Sequence, residues 1–340
     1  HLALRAIKVF GLACSQIHQD TTSVTVYGKY AGSHLPERLT YGNNKDHRPD
    51  LKQLVLGMSV TADGSVPLTH RIYKGNQTDD RLHPENHRQL CRVLERVDFI
   101  YVADCELATR ENLARIAGCG GQFVSVMPRS WKEDAAFRRR VQEGKVEWQR
   151  LLARKNNRTP DSKMDRYYLA HGKYQAKTYR LLWIQSTQKQ EQDAETRARH
   201  IAKALEALRE LQTRLNTYHL KNRQAIEAAV RKILKEHDVQ GWILSQVHGC
   251  RKYKKCYSKR GRPKASDQAC VSWDEYFSLT FGVDQQAVEQ DAKIDGIFPI
   301  ITNLDENAYH AKQVLEIYKF QAFLEKRHSQ LKTWQEMTPV

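Results

Sequence analysis

The sequence lacks several features that would assign it to common protein classes. No apolar run approaches the roughly 18–20 residues of a membrane span, and no strongly amphipathic Trp/Leu helix suits a membrane surface. The seven cysteines include no C-x-x-C pair, and His248, Cys250, Cys256 and Cys270 have the spacing of no common zinc finger or ribbon. We therefore expect no membrane partner and no structural zinc, and we interpret the cysteines as reduced cytosolic thiols.

Acidic residues are scarce relative to basic ones. The 340 residues include 55 Lys and Arg against 39 Asp and Glu, which gives a formal net charge of +16. An excess of this size favours a polyanionic partner, with nucleic acid as the first candidate. The length suffices for one large domain or two smaller ones. The chain begins with His1 rather than Met, so we expect it to be part of a longer protein.

The first 130 residues alternate between strand-like and helix-like patterns. The Asp63-Gly64 pair between two apolar runs is a strong hairpin signal, and Thr109 is suited to cap a helix. The resulting β-β-β-α-β-α-β order predicts an α/β fold whose first three strands form an antiparallel meander. In chain order, the predicted elements are strands at 16–30, 53–61 and 65–74, a helix at 81–96, a strand at 98–106, a helix at 110–117 and a strand at 122–128.

The pattern changes between about 131 and 290. Residues 163–187 alternate like a β-hairpin, and residues 188–237 are typical of long helices with an apolar stripe for helix packing from Ile201 to Tyr218. Residues 251–264, RKYKKCYSKRGRPK, hold eight basic residues and no acid. They form either a solvated linker or a phosphate-contacting arm that could enter a minor groove. The candidate DNA-binding residues of this arm are Arg251, Lys252, Lys254, Lys255, Lys259, Arg260 and Arg262.

Three acids occupy positions suited to catalysis, although each alone could be an ordinary surface carboxylate. Asp20 lies within the first predicted strand, Asp104 lies at the end of the fourth, and Glu325 lies on the last predicted helix. If the first and fourth strands are neighbours, both Asp side chains reach one edge of the sheet, where α/β proteins often bind ligands. Three converging carboxylates repel each other unless a cation neutralises them, and oxygen ligands favour Mg²⁺ or Mn²⁺.

The last predicted helix, YKFQAFLEKRHSQLK, places polar side chains on one face. Tyr318 and Lys332 each stand seven residues from Glu325, and Gln321 falls on the same stripe. With a rise of about 1.5 Å per residue, Tyr318 and Lys332 are roughly 21 Å apart and the carboxylate lies midway between them. Such a helix could hold a metal at its centre, while Tyr318, Gln321 and Lys332 contact backbone phosphates on either side.

These motifs resemble those of bacterial insertion-sequence transposases, which have a ribonuclease H-like core and a D-D-E triad. One group of that family carries the signature Y-x2-R-x3-E-x6-K, which this chain matches at every spacing with Gln321 in place of Arg. Gln keeps hydrogen-bond donors but loses the cation, so a phosphate contact there should be weaker. HQDTTSVTVYG, with Asp20, and YVADCELATRENL, with Asp104, resemble the two aspartate strands. The resemblance covers roughly 16–128 and 292–340.

The resemblance implies a fold and a domain order. The expected fold is α/β, with a ribonuclease H-like mixed five-stranded sheet flanked by helices. A large mixed, helix-rich insertion is expected before the last catalytic helix. Residues 1–130 would form the first part of the core, 131–291 the insertion, and 292–340 the end of the core with the catalytic Glu.

The resemblance also implies an activity, cofactors and partners. The expected activity is that of a DNA transposase, which cleaves strands at element ends and joins a 3′ end to target DNA. Asp20, Asp104 and Glu325 would be the catalytic metal ligands for two Mg²⁺ ions, for which Mn²⁺ could substitute. The expected partner is double-stranded DNA bound by a homodimer, at the nucleoid in the bacterial cytoplasm. The alternatives are a metal-dependent structure-specific nuclease that cuts without joining, and a domesticated or inactive derivative that binds DNA without cleaving it.

Overall fold

The structure divides into two compact units, described here from a computed structural model that covers residues 2–27, 38–42, 48–77, 81–155, 163–170, 179–257 and 269–333. The first unit comprises His1–Ser186 and Ile297–Val340, and the second comprises Thr187–Gly296. Residues 131–186, which the sequence analysis placed in the insertion, therefore belong to the first unit. None of the helices in the covered stretches is long and apolar enough to cross a membrane.

The first unit is built on a mixed sheet that has nine strands among the described residues. Its elements up to residue 186 are α1 (Leu2–Phe10), β1 (Gln16–Val26), β2 (Lys52–Thr61), β3 (Pro67–Lys74), α2 (His83–Leu94), β4 (Ile100–Val102), α3 (Arg110–Gly118), β5 (Gln122–Val126), α4 (Lys132–Gln142), β6 (Gln149–Lys155), β7 (Met164–Ala170) and β8 (Arg180–Ser186). The second unit contains α5 (Thr187–Thr213), α6 (Arg223–Glu236), β9 (Ile243–Tyr257), β10 (Ala269–Val283) and α7 (Gln285–Ala292). The chain then returns to the first unit with β11 (Ile297–Thr302), α8 (Ala311–Lys319) and α9 (Gln321–Thr333).

The predicted meander is confirmed, since β1 pairs antiparallel with β2 and β2 with β3. The turn between β2 and β3 contains Gly64 at a φ of 82°, a left-handed conformation that costs glycine little. The next predicted elements are also confirmed. Thr109 caps α3 by accepting a hydrogen bond from the Asn112 N–H at 3.1 Å, and β4 lies parallel to both β1 and β5.

The sheet continues beyond the five strands that the sequence predicted. The strand order is β3-β2-β1-β4-β5-β11-β8-β7-β6, so β11 pairs antiparallel with both β5 and β8. All six residues of β11, IFPIIT, are buried. Because the outer edge of β5 carries unpaired backbone groups, a continuous apolar strand can extend the sheet there. Leu315 and Ile317 of α8 pack against this central region in a core shared with β4, β5, β7 and β8.

The second unit packs α5 and α6 against a two-stranded antiparallel ribbon of β9 and β10. An apolar core forms between the two helices and the part of the ribbon that contains Val247 and Leu279; its helix residues include Leu208, Leu211, Ile226 and Val230. This confirms the predicted helix-packing stripe. The prediction was wrong for Tyr218, which is 89% exposed. The reason is that α5 ends at Thr213, and Tyr218 lies beyond it with a left-handed φ of 43°.

Candidate active site

The two predicted catalytic aspartates lie on two neighbouring interior strands of the sheet, Asp20 within β1 and Asp104 just after β4. In the parallel pairing of β1 with β4, the last matched residues are His18 and Val102. Asp20 and Asp104 each follow two residues later, so continuing the register puts them opposite each other on the same face. The Ala103 N–H bonds to the Val124 carbonyl at 3.3 Å, which keeps the chain extended past the end of β4. Adjacent strands are about 4.8 Å apart, so both carboxyl groups can reach one ligand.

Local hydrogen bonds fix the orientation of both aspartates. Asp20 Oδ1 accepts from the Thr21 N–H at 2.8 Å. Asp104 Oδ1 accepts from the Glu106 N–H at 3.1 Å, an Asx-type contact that begins the turn into α3. The Ser125 hydroxyl donates to the Asp104 backbone carbonyl at 2.5 Å. Both aspartates are half-buried.

The helix that carries Glu325 packs directly on β1 and β2. Leu324 is fully buried against Met58 and Val60 of β2. His328, one turn later, brings Nδ1 to 3.5 Å from Asp20 Oδ2 and is 5% exposed. A 3-4 spacing therefore defines the buried face of α9, and Glu325 lies beside that face and is exposed.

Gln321 fastens the start of α9 to β1. Its Oε1 lies 3.0 Å from His18 Nδ1, and its Nε2 donates to the Gln19 carbonyl at 2.9 Å. Since Oε1 can only accept, His18 must carry its proton on Nδ1. Gln321 is 8% exposed. This differs from the expected contact between Gln321 and a DNA backbone, because both ends of its amide are bonded to β1.

His18 is a buried, neutral histidine beneath the candidate site. Burial lowers its pKa to about 4, although the hydrogen bond that His18 donates to Gln321 opposes that shift. The ring of Phe320 lies 4.9 Å from the His18 ring. Within the described part of the chain, His18 Nε2 has no hydrogen-bond partner. At neutral pH His18 therefore adds no charge beside Asp20 and acts as a support for α9.

Tyr318 lies in a largely buried and negatively charged environment. Burial raises the pKa of the Tyr318 phenol well above its ordinary value, and negative charge on Asp104, Cys105, Glu325 and Asp20 raises that pKa further, in this order. The phenol therefore stays protonated at neutral pH and is a hydrogen-bond donor in a negative environment.

The expected helix from Tyr318 to Lys332 has one local irregularity, at Phe320. α8 ends at Lys319 and α9 begins at Gln321, with Phe320 between them in a turn. The ring of Phe320 packs on His18 of β1 and on Phe323 of α9. Phe320 itself keeps right-handed helical angles, with φ of −67° and ψ of −19°, so the backbone stays helical between Tyr318 and Glu325.

The donor set suits a hard cation, but its members are not gathered into a metal cage. All three acids offer oxygen ligands, the type that Mg²⁺ and Mn²⁺ prefer. In the stretches that the structure covers, no three His, Cys, Asp or Glu side chains stand close enough together to hold a metal ion. Binding by all three carboxylates would require the exposed Glu325 side chain to turn towards Asp20 and Asp104.

The predicted basic arm is partly a regular β-ribbon. β9 and β10 pair over fifteen residues each, and Arg251 and Lys252 are exposed on β9. Arg251 Nε lies 3.4 Å from Glu275 Oε1 across the ribbon, and Lys252 Nζ lies 5.2 Å from the ring centre of Tyr276. The first seven residues of the predicted arm are thus part of a strand, not a linker. Lys259, Arg260 and Arg262 lie outside the described residues, as do the side chains of Lys254, Lys255 and Lys332.

Sequence reasoning missed His18 and His328 as supports of the candidate site. Their signals were present: His18 shares a strand face with Asp20, and Gln321, Leu324 and His328 repeat at 3-4 spacing. The same helix also carries the polar stripe through Tyr318 and Glu325, and the sequence does not decide which of the two stripes faces the sheet.

No known protein family matches this chain, and no curated protein matches it either.

Proposed function

We propose that this chain is the catalytic region of a D-D-E DNA transposase with a ribonuclease H-like core. The observation that carries the proposal is the β1–β4 register, which sets Asp20 beside Asp104 while α9 brings Glu325 to the same end of β1. The β-β-β-α-β-α-β order and the parallel β1, β4 and β5 support the same reading. The expected Tyr, Glu and Lys signature positions all lie on α8 and α9.

The proposed chemistry is cleavage of a DNA strand at an element end, followed by transfer of its 3′ end to target DNA. Two Mg²⁺ ions, or Mn²⁺ in their place, held by Asp20, Asp104 and Glu325 would supply Lewis-acid stabilisation of in-line phosphodiester displacement. The protonated Tyr318 phenol donates a hydrogen bond to a backbone phosphate oxygen, and Lys332 offers a cation to another phosphate. Gln321 and His328 hold α9 on β1 so that Glu325 stays within reach.

The proposed DNA partner is recognised first through its charge. The net charge of +16 and the basic strand β9 favour contact with backbone phosphates, which gives affinity and salt dependence but carries no sequence information. Recognition of the element ends would therefore need contacts elsewhere. We also propose that two copies of the chain act together on DNA and that the protein works at the bacterial nucleoid.

A strand-transfer assay tests this function. The protein is mixed with pre-cut duplexes of candidate element ends, a target plasmid and Mg²⁺ or Mn²⁺, and joined strands are expected. Asp20→Asn should abolish cleavage and joining while sparing DNA binding. The matched control is Asp98→Asn, because Asp98 is an exposed partner of Arg96 and should be dispensable. Equal activity of Asp20→Asn and the parent would reject the assignment.

A DNA-binding derivative without cleavage is the second candidate. It is favoured by the absence of a cluster of three metal-ligating side chains among the described residues, and by Gln321 being used inside the fold where the resembled signature has Arg. Binding without cleavage in either metal would select this candidate. Cleavage without joining would instead select a metal-dependent nuclease.

A further inference from the structure

Two cysteines face each other at the far end of the β9–β10 ribbon. The antiparallel register sets Cys256 directly opposite Cys270, and the Cys256 thiol donates to the Cys270 carbonyl oxygen at 3.3 Å. Both are free thiols, and Cys270 is exposed. Cys250, on the same strand as Cys256, stands opposite Tyr276 and has no such partner in the ribbon.

The hydrogen-bonding pattern of the ribbon identifies the type of this pair. The N–H and carbonyl groups of Phe277 bond to the Asn216 side chain at 2.7 Å and 2.9 Å, so they point away from β9. Along an antiparallel strand, the N–H and carbonyl groups of successive residues point alternately towards and away from the partner strand. Cys270 lies seven residues from Phe277, an odd number, so its N–H and carbonyl groups point towards β9. Cys256 and Cys270 therefore form a hydrogen-bonded pair, with Cα atoms about 5.5 Å apart. Disulfides span Cα separations of about 4.4–6.8 Å, so the Cα separation of this pair lies within the range that a disulfide bridges.

We propose that Cys256 and Cys270 are a reversible redox site that reacts with low-molecular-weight disulfides such as glutathione disulfide. The thiolate of the exposed Cys270 attacks one glutathione sulfur, breaks the glutathione S–S bond and releases one glutathione thiolate, which takes a proton from solvent. Cys256, as its thiolate, then attacks the mixed disulfide at the Cys270 sulfur and displaces the second glutathione. Two protein thiols are oxidised to one disulfide, and one glutathione disulfide is reduced to two thiols.

The bond would fasten the end of the ribbon without changing its register. A hydrogen-bonded pair holds its Cβ atoms further apart than a relaxed disulfide prefers, so the bond should be easily reduced again. A reducing glutathione pool would keep the dithiol, and an excess of glutathione disulfide would close the ring. The site forms or fails to form whether or not the chain cleaves DNA.

The test incubates the full chain with mixtures of reduced and oxidised glutathione, then traps free thiols by alkylation and maps the peptides by mass spectrometry. The expected result is a Cys256–Cys270 cross-link, two mass units lighter than the dithiol, which disappears when reduced glutathione is restored. Cys256→Ser should stop at a stable glutathione adduct on Cys270. Cys250→Ser should cross-link like the parent, and circular dichroism checks that each variant is folded.

Several outcomes would overturn the proposal. One is a parent protein that keeps glutathione on Cys270 as the Cys256→Ser variant does, since the second thiol would then not resolve the adduct. Another is a parent in which neither cysteine reacts, and a third is a cross-link between any other pair of the seven cysteines.

Discussion

Replacing Gln321 by Leu should release α9 from β1. The substitution keeps a similar volume but removes the acceptor for the His18 Nδ1–H and the donor to the Gln19 carbonyl. Each buried polar group left without a partner costs about 1–3 kcal/mol. Because Gln321 is only 8% exposed, water replaces little of this loss, and we expect the packed position of α9 to be destabilised by about 3 kcal/mol.

The suitable assay reports on α9 itself, because a chain of two compact units need not unfold in one step. Hydrogen exchange followed by mass spectrometry on peptides from 321–333 should show opening about 100-fold more frequent in Gln321→Leu. The control is Gln330→Leu, which changes an exposed glutamine of the same helix and should leave exchange close to that of the parent. Gln321→Arg, which restores the residue of the resembled signature, should loosen α9 further, since Arg cannot accept from His18 and brings a charge into a buried position.

Two results would refute this reasoning. Unchanged exchange in Gln321→Leu would mean that the amide does not hold the helix. A Gln321→Arg variant with normal exchange and stronger DNA cleavage would mean that position 321 faces DNA in the working protein.

The remaining predictions concern catalysis, salt and pH. Asp20→Asn should lose strand cleavage with unchanged DNA affinity in a gel-shift assay. Lys254→Ala with Lys255→Ala should lower the slope of log affinity against log salt by up to about 2, since each phosphate contact contributes about 0.9. Burial lowers the pKa of His87 to about 4, so between about pH 6.5 and pH 4 the unfolded chain binds a proton at His87 and the folded chain does not. Stability from His87 is complete above about pH 6.5 and falls by up to about 3 kcal/mol towards pH 4.

Each of these predictions has its own control. For the salt slope, the control is Lys232→Ala with Lys235→Ala, which changes two exposed lysines of α6. If this control lowers the slope as much as the Lys254 and Lys255 substitutions do, the ribbon is not a specific part of the DNA interface. For the pH effect, urea unfolding of His87→Gln should depend less on pH between 6.5 and 4. A pH dependence identical to that of the parent would show that His87 does not couple to folding.

Much of the first unit could be predicted because its signals are local. Gly64 accepts the backbone of a tight turn, and Thr109 supplies the oxygen that caps α3, so each element carries its own boundary in the sequence. The sequence left open whether the first and fourth strands are neighbours, and the parallel pairing of β1 with β4 supplies that condition.

The rest depended on contacts between distant residues. The packing of the Phe320 ring on His18 could not be predicted, because the two residues are about 300 positions apart in the chain. Gln321 has the pattern of a surface residue until β1 supplies partners for both ends of its amide. Likewise, the pairing of β11 between β5 and β8 leaves no trace in the local pattern of β5.

The position of β11 affects how the protein folds during its synthesis on the ribosome. β5 ends at Val126 and its neighbour begins only at Ile297, so about 170 residues must be synthesised before the middle of the sheet can close. At about 5–20 residues per second, β5 lacks this partner for roughly 10–30 s, and β8, which ends at Ser186, lacks it for roughly 5–20 s. During that interval the unpaired edges of β5 and β8 can pair with each other or with another nascent chain. A chaperone that covers these edges would therefore act at this step.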